Sequence, residues 1–108
     1  MNKISPQELY TKINSGEACE LIDVRTPGEF KTAHVVHAWL TPLQTFNARE
    51  VLRGRGSQTK PLYVICRVGG RASKAIEILE SEGFKEAVLV EGGLEAWAAA
   101  GLPVESES

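Results

Sequence analysis

Four short apolar runs punctuate the chain: Leu21–Val24, Val35–Ala38 continued by Trp39, Leu62–Ile65, and Ala87–Val90. Each is too short for a helix and too uniformly apolar for a strand with one wet face. Such runs suit strands of a parallel sheet covered on both sides. The segments between them open with helix-start signals. Ser5-Pro6-Gln7-Glu8 is a capping box with proline at the first helical position, where its missing N–H costs nothing. Thr26-Pro27-Gly28-Glu29 repeats that logic, and Thr41-Pro42-Leu43-Gln44 repeats it more weakly. Ala72, Ala75, Ile76 and Leu79 fall at i, i+3, i+4 and i+7, which predicts a helix beginning near Arg71 and stopped by Gly83. Strand–helix alternation at short intervals implies crossover units, hence an open α/β parallel sheet with helices on both faces. The stretch from Arg49 to Lys60, basic and carrying Gly54, Gly56 and Ser57, reads as an exposed connection. No internal repeat is present, and neither half could fold alone, so residues 1–108 read as a single domain.

Composition narrows the function classes. With 43% hydrophobic and 24% charged residues in 108, the chain resembles an average globular domain. Folding at this size buries roughly two-thirds of the unfolded surface, enough for a core without staples. A net charge of −2, from 12 basic and 14 acidic residues, argues against a nucleic-acid partner, which calls for a basic face or stripe. Cys19 and Cys66 with two histidines cannot build a common structural zinc site, and two cysteines are no disulfide framework. No metal is expected. The first residues lack the apolar run of a signal peptide, and no stretch approaches a membrane span. The expectation is a cytoplasmic protein, with free thiols kept reduced.

In open α/β sheets ligands bind beyond the carboxyl ends of the strands. One residue leaving such an end is Cys66, which follows Leu62–Ile65 and precedes Arg67-Val68-Gly69-Gly70-Arg71. Two glycines let the backbone curl so that successive N–H groups point inward as an anion-binding nest. The coming helix N-terminus and the guanidinium groups of Arg67 and Arg71 add positive charge. Each favours the thiolate, which is the nucleophile. A free cysteine is more often a small buried hydrophobe, but an apolar structural thiol has no use for two arginines beside it. Cys19, flanked by Glu17 and Glu20, has no such loop and reads as structural or incidental.

The sequence here resembles the rhodanese family over nearly its whole length. Asp23-Val24-Arg25-Thr26-Pro27-Gly28-Glu29-Phe30 is similar to the family's first signature, and Cys66 through Arg71 to its active-site loop. Gly83-Phe84 is similar to the turn after the active-site helix. Gly92-Gly93-Leu94-Glu95-Ala96-Trp97 with Gly101-Leu102-Pro103-Val104 resembles the C-terminal signature. The resemblance implies a five-stranded parallel sheet and a ping-pong sulfur transfer. Cys66 would take the outer sulfur of thiosulfate or a similar small anionic donor, become a persulfide, and pass the sulfur to cyanide or a thiol, possible acceptors including protein thiols. Covalent catalysis of this kind needs no cofactor. It also implies that N–H groups of Arg67, Val68, Gly69, Gly70 and Arg71 hold the persulfide, with both arginines orienting the donor. The chain departs from the family where Ala33 and His37 replace glycines about His34, where Trp39 replaces a small polar residue, and where Thr41 replaces proline. Trp39 is expected beside the pocket, narrowing donor choice.

The remaining polar residues read as structural. Asp23 suits local backbone hydrogen bonds, Arg25 is expected to pair with Glu29 at i+4, and a lone His34 to satisfy a backbone group. Trp97 reads as a core anchor. Two other functions compete with sulfur transfer. One is a cysteine phosphatase of similar fold; those space cysteine and arginine as C-x5-R, whereas Cys66 and Arg71 give C-x4-R, a narrower cradle. The other is a non-enzymatic persulfide carrier or interaction module.

Overall fold

The structure, a computed structural model, describes residues 1–55 and 60–107. Five strands, β1 (Asn2–Ile4), β2 (Glu20–Asp23), β3 (Trp39–Leu40), β4 (Leu62–Ile65) and β5 (Ala87–Val90), form an all-parallel sheet ordered β1-β5-β4-β2-β3. The helices among the described residues are α1 (Pro6–Asn14), α2 (Pro27–Thr32), α3 (Ala48–Arg55), α4 (Gly70–Ser81) and α5 (Gly93–Ala99), with a 3-10 turn at Leu43–Thr45.

β4 lies at the centre, and its alternation builds both halves of the core. Leu62, Val64 and Cys66 face one way, against Ala72, Ala75, Ile76 and Leu79 of α4 and Ala48 of α3. Tyr63 and Ile65 face the other way, against Leu9 of α1 and Trp97 of α5. Burying each such aliphatic side chain contributes about 1.5–3 kcal/mol, which is why a uniformly apolar strand must be covered twice. Trp97 is fully buried, and its indole N–H donates to Pro103 O at 2.9 Å, so the core anchor has its one polar atom satisfied.

The helix starts follow the sequence signals. Ser5 Oγ accepts from Glu8 N at 3.1 Å. At α2 the capping box is complete: Thr26 Oγ1 accepts from Glu29 N, and Glu29 Oε1 accepts from Thr26 N. Gly83 ends α4 at φ 88°, where Phe84 N returns to Leu79 O at 3.1 Å.

Several expectations are corrected. Val35–Ala38 is not a strand; Val35 is buried in a turn closed by Ala38 N to Val35 O, and β3 begins only at Trp39. Thr41-Pro42-Leu43-Gln44 opens a single 3-10 turn rather than a longer helix. The stretch taken for an exposed connection holds α3 as far as Arg55; Gly56 and Ser57 lie outside the described residues. Arg55 is buried, with Nε on Glu20 Oε1 at 2.9 Å, Nη2 on Lys60 O at 2.7 Å, and the guanidinium 5.1 Å from the Phe84 ring centre. β1 gives no apolar run because only Ile4 of its three residues is buried.

The turn before β3 shows what one departure from the resemblance costs. His37 sits at φ 67°, in the left-handed region where a Cβ costs roughly 1–2 kcal/mol and glycine costs least. His37→Gly is expected to raise stability by up to about 1 kcal/mol, after the greater chain entropy of glycine is subtracted. An unchanged or lowered denaturant midpoint would refute the strain argument.

Candidate active-site loop

Cys66 lies one residue beyond β4 and is 1% exposed. Its side chain is on the α3/α4 face, with Val24 and Ala72 among its buried companions. The chain then turns through Arg67, exposed Val68 and Gly69, which takes φ 142°, and enters α4 at Gly70. Among the described residues, no backbone N–H from Arg67 through Ala72 donates to a protein acceptor; the first bond of the helix is Ser73 N to Gly69 O at 2.9 Å. A run of free N–H donors at a helix N-terminus, following a buried sulfur, is a cradle for negative charge.

The loop's entry is fixed by α5. Leu94 N donates to Cys66 O at 2.8 Å and Glu95 N to Arg67 O at 3.1 Å, so the first turn of α5 uses the loop's carbonyls as its caps. This approach requires glycine at position 93. Gly93 has φ 60°, and a Cβ there would lie 2.5 and 2.6 Å from the Arg67 carbonyl oxygen and carbon, and nearer still to Cys66 O.

The loop's exit is fixed by α2. Arg71 donates from Nη1 to Glu29 Oε1 at 2.6 Å and from Nη2 to Glu29 Oε2 at 3.0 Å. This contact holds the Glu29 carboxyl down to a pKa of about 2, and Glu29 in turn raises that of Arg71. In the unfolded chain Glu29 protonates near its ordinary 4.5. The pair's contribution is therefore complete above that value and lost as pH falls from there through about 2. Both side chains are about a third exposed, so solvent screening limits the effect to about 1 kcal/mol. Glu29→Gln is expected to be less stable than the parent at neutral pH and indistinguishable from it by pH ~2, read by denaturant midpoints across that range. A difference that persists undiminished at the acid end would show that the ion pair is not its source.

The expected Arg25–Glu29 pair does not form. Arg25 turns back to Asp23, with Nη2 on Oδ2 at 2.7 Å and Nε on Oδ1 at 3.0 Å, and Nη2 also reaches Ala33 O at 2.6 Å. Both partners are buried, which fits a structural role: removing one would leave the other's charge stranded. His34 likewise bonds Phe30 O through Nδ1 at 2.7 Å and stacks on the Phe30 ring at 3.9 Å.

The structure brings Cys66, Arg67, Val68, Gly69, Gly70 and Arg71 together but leaves Trp39 out. The register sets Trp39 level with Ile22 and Val64, short of the strand ends, and its exposed indole lines a cavity of about 380 Å³ with Cys19, Arg55 and Pro61. No loop residue lines that cavity. Cys19 is there at the amino end of β2, and burial, then the Glu17 charge, raises its thiol pKa. Glu29 and Gly93 also border the candidate site, a placement the sequence signals at the loop did not indicate. The double glycine after β5 was the available signal for the second.

An open parallel sheet with a cysteine loop between strand and helix, closed by a second helix N-terminus, defines the class of this domain. Comparison with known proteins agrees. The rhodanese-like domain model matches residues 5–100. The chain is 31% identical over 105 residues to the thiosulfate sulfurtransferase GlpE of Vibrio cholerae, covering 91% of this chain and 95% of that one. It is 36% identical over 95 residues to the probable adenylyltransferase/sulfurtransferase MoeZ of Mycobacterium tuberculosis, covering 88% of this chain but only 24% of MoeZ. Among the first curated relatives the chain spans from about a quarter to about half of their length. The crystal structure of a rhodanese-like domain protein from Staphylococcus aureus superposes with a TM-score of 0.81 at 32% identity, covering all of both chains. The chain belongs to the rhodanese-like domain family. Among the described residues, no helix is long and apolar enough to cross a membrane.

Proposed function

We propose that this chain is a sulfurtransferase working through a persulfide on Cys66. The Cys66 thiolate attacks the outer sulfur of thiosulfate or a like donor. The donor's S–S bond breaks, and sulfite departs with the electron pair. A thiolate acceptor, or cyanide, then attacks the terminal sulfur and releases the Cys66 thiolate. The observation that carries this reading is the run of free N–H groups from Arg67 to Ala72 following a buried sulfur. It offers hydrogen bonds to an anionic terminal sulfur without needing a proton donor for the leaving group. Kinship with GlpE, whose name states thiosulfate sulfur transfer, supports the choice of donor.

The phosphatase reading is disfavoured by the C-x4-R spacing and by the engagement of Arg71 with Glu29. One experiment tests the proposal: incubate with thiosulfate, remove the excess, and weigh the intact protein. One added sulfur on Cys66 is expected. No added sulfur, with aryl phosphate hydrolysis that disappears in Cys66→Ser, would reverse the assignment. Steady turnover with a thiol acceptor separates an enzyme from a carrier.

Arg67 is the exposed cation of the loop, only loosely paired with Glu95 at 3.5 Å. Arg67→Ala is expected to raise the donor KM about threefold to tenfold through lost attraction of the anion, with stability within about 0.5 kcal/mol of the parent. An unchanged KM would remove Arg67 from donor binding.

A further inference from the structure

Three guanidinium groups stand in the segments that form the loop and its support, yet carboxylates engage them very differently. Arg25 is buried and forked onto Asp23. Arg67 is 63% exposed with a long contact to Glu95. Arg71 is 34% exposed and gives both terminal nitrogens to the two oxygens of Glu29. Glu29 is itself pinned, because Oε1 also accepts from Thr26 N and Thr26 Oγ1, each at 3.1 Å. The Glu29–Arg71 contact is therefore built into the cap of α2 and is not an exchangeable surface pair.

A cradle of N–H donors closed by an arginine is equally suited to tetrahedral oxyanions. Arginine grips these with two parallel N–H bonds from one edge of its fork. In this loop the Nη1–Nη2 edge of Arg71 is occupied and its charge is balanced. The geometry points to Glu29 as a specificity-determining positioning residue: it withholds the Nη1–Nη2 edge and the unbalanced charge of Arg71 from phosphate and sulfate, leaving the cradle free for a sulfur atom on Cys66. The inference rests on the sulfur-transfer reading of the loop. A dianion seated in the cradle against Arg71 would meet the Glu29 carboxylate, a like charge, whereas thiosulfate needs only its outer sulfur at Cys66 while its sulfonate end meets the exposed Arg67. The same contact fixes the exit of the loop against α2, as the α5 amides fix its entry.

The test reads anion occupancy without needing turnover. In a Cys19→Ala background, the rate of Cys66 alkylation by iodoacetamide is followed against inorganic phosphate for the parent, Glu29→Gln, and Glu29→Gln with Arg71→Ala. Phosphate is expected to protect Glu29→Gln at concentrations at least tenfold lower than the parent, with that protection lost again in the double variant. Phosphate should also become a competitive inhibitor against thiosulfate in Glu29→Gln. A general loosening of the fold would speed alkylation at every phosphate concentration and could not produce this protection. Equal protection of parent and Glu29→Gln, or protection that survives Arg71→Ala, overturns the inference. Should Glu29→Gln fail to fold, Glu29→Asp withdraws the carboxylate from the fork while keeping its charge, and a shift in the same direction is expected. No sulfur gained by the parent from thiosulfate, alongside the expected phosphate pattern, would sink the sulfur-transfer reading and leave the role of Glu29 standing.

Discussion

Cys66→Ala is expected to lose thiosulfate:cyanide sulfur transfer entirely, while Cys19→Ala keeps it within about twofold. Covalent transfer has no bypass when the only sulfur beside the cradle is removed. Cys19 lies at the opposite end of the sheet, and its raised pKa keeps it a thiol, a poor nucleophile. Cys66→Ala trims one buried atom and should cost about 1 kcal/mol, so it remains folded and the loss is chemical. Rates and melting curves on the same preparations decide this. Substantial transfer by the Cys66→Ala protein would sink the mechanism.

Gly93→Ala is expected to cripple the site although residue 93 carries no functional group. A methyl group there drives into the carbonyls of Cys66 and Arg67, which are backbone and cannot swing away. To this is added the left-handed conformation at φ 60°, worth roughly 1–2 kcal/mol against any Cβ. A total of about 2–4 kcal/mol follows, which lowers the melting temperature by roughly 10–25 °C in a domain of this size. If the chain still folds, α5 must retreat and free the Cys66 and Arg67 carbonyls, so sulfur loading should fall by at least tenfold at temperatures where the variant is folded. A variant as stable and as active as the parent would show that α5 does not hold the loop. Gly28→Ala is the control, since a Cβ there meets nothing within 4 Å.

The parts legible in the sequence are those whose signals are local. β4 is a continuous apolar run because both faces of the central strand are covered, and α4 declares itself through four buried residues at helical spacing. The glycines and arginines after Cys66 lie within one turn of chain, so the loop could be read directly. β1 leaves no pattern because an edge strand of three residues buries too little, and β3, only two residues long, is masked by the apolar turn Val35–Ala38 before it, which draws the expected strand too early. α3 was hidden by Gly54 and by Arg55, a charge whose burial depends on Glu20, 35 residues away. The Glu29–Arg71 tie spans 42 residues and has no local trace. The i+4 rule named Arg25 as the partner of Glu29, but the Asp23 carboxylate two residues back, already buried, claims that guanidinium first.

The placement of the two thiols also sets how the chain meets peroxide. Cys19 precedes β2 and Cys66 follows β4, and the register pairs Glu20 with Leu62 and Asp23 with Ile65. Cys19 is therefore level with Pro61, and five residue steps separate the two thiols, about 16 Å along the strand axis before the step between strands is added. A disulfide needs α-carbons within about 7 Å. A sulfenic acid formed on Cys66 thus has no resolving cysteine in this chain. It must be captured by an outside thiol or proceed to the irreversible sulfinic acid. The acceptor thiol that would unload sulfur in turnover is then also the reductant that would rescue the nucleophile.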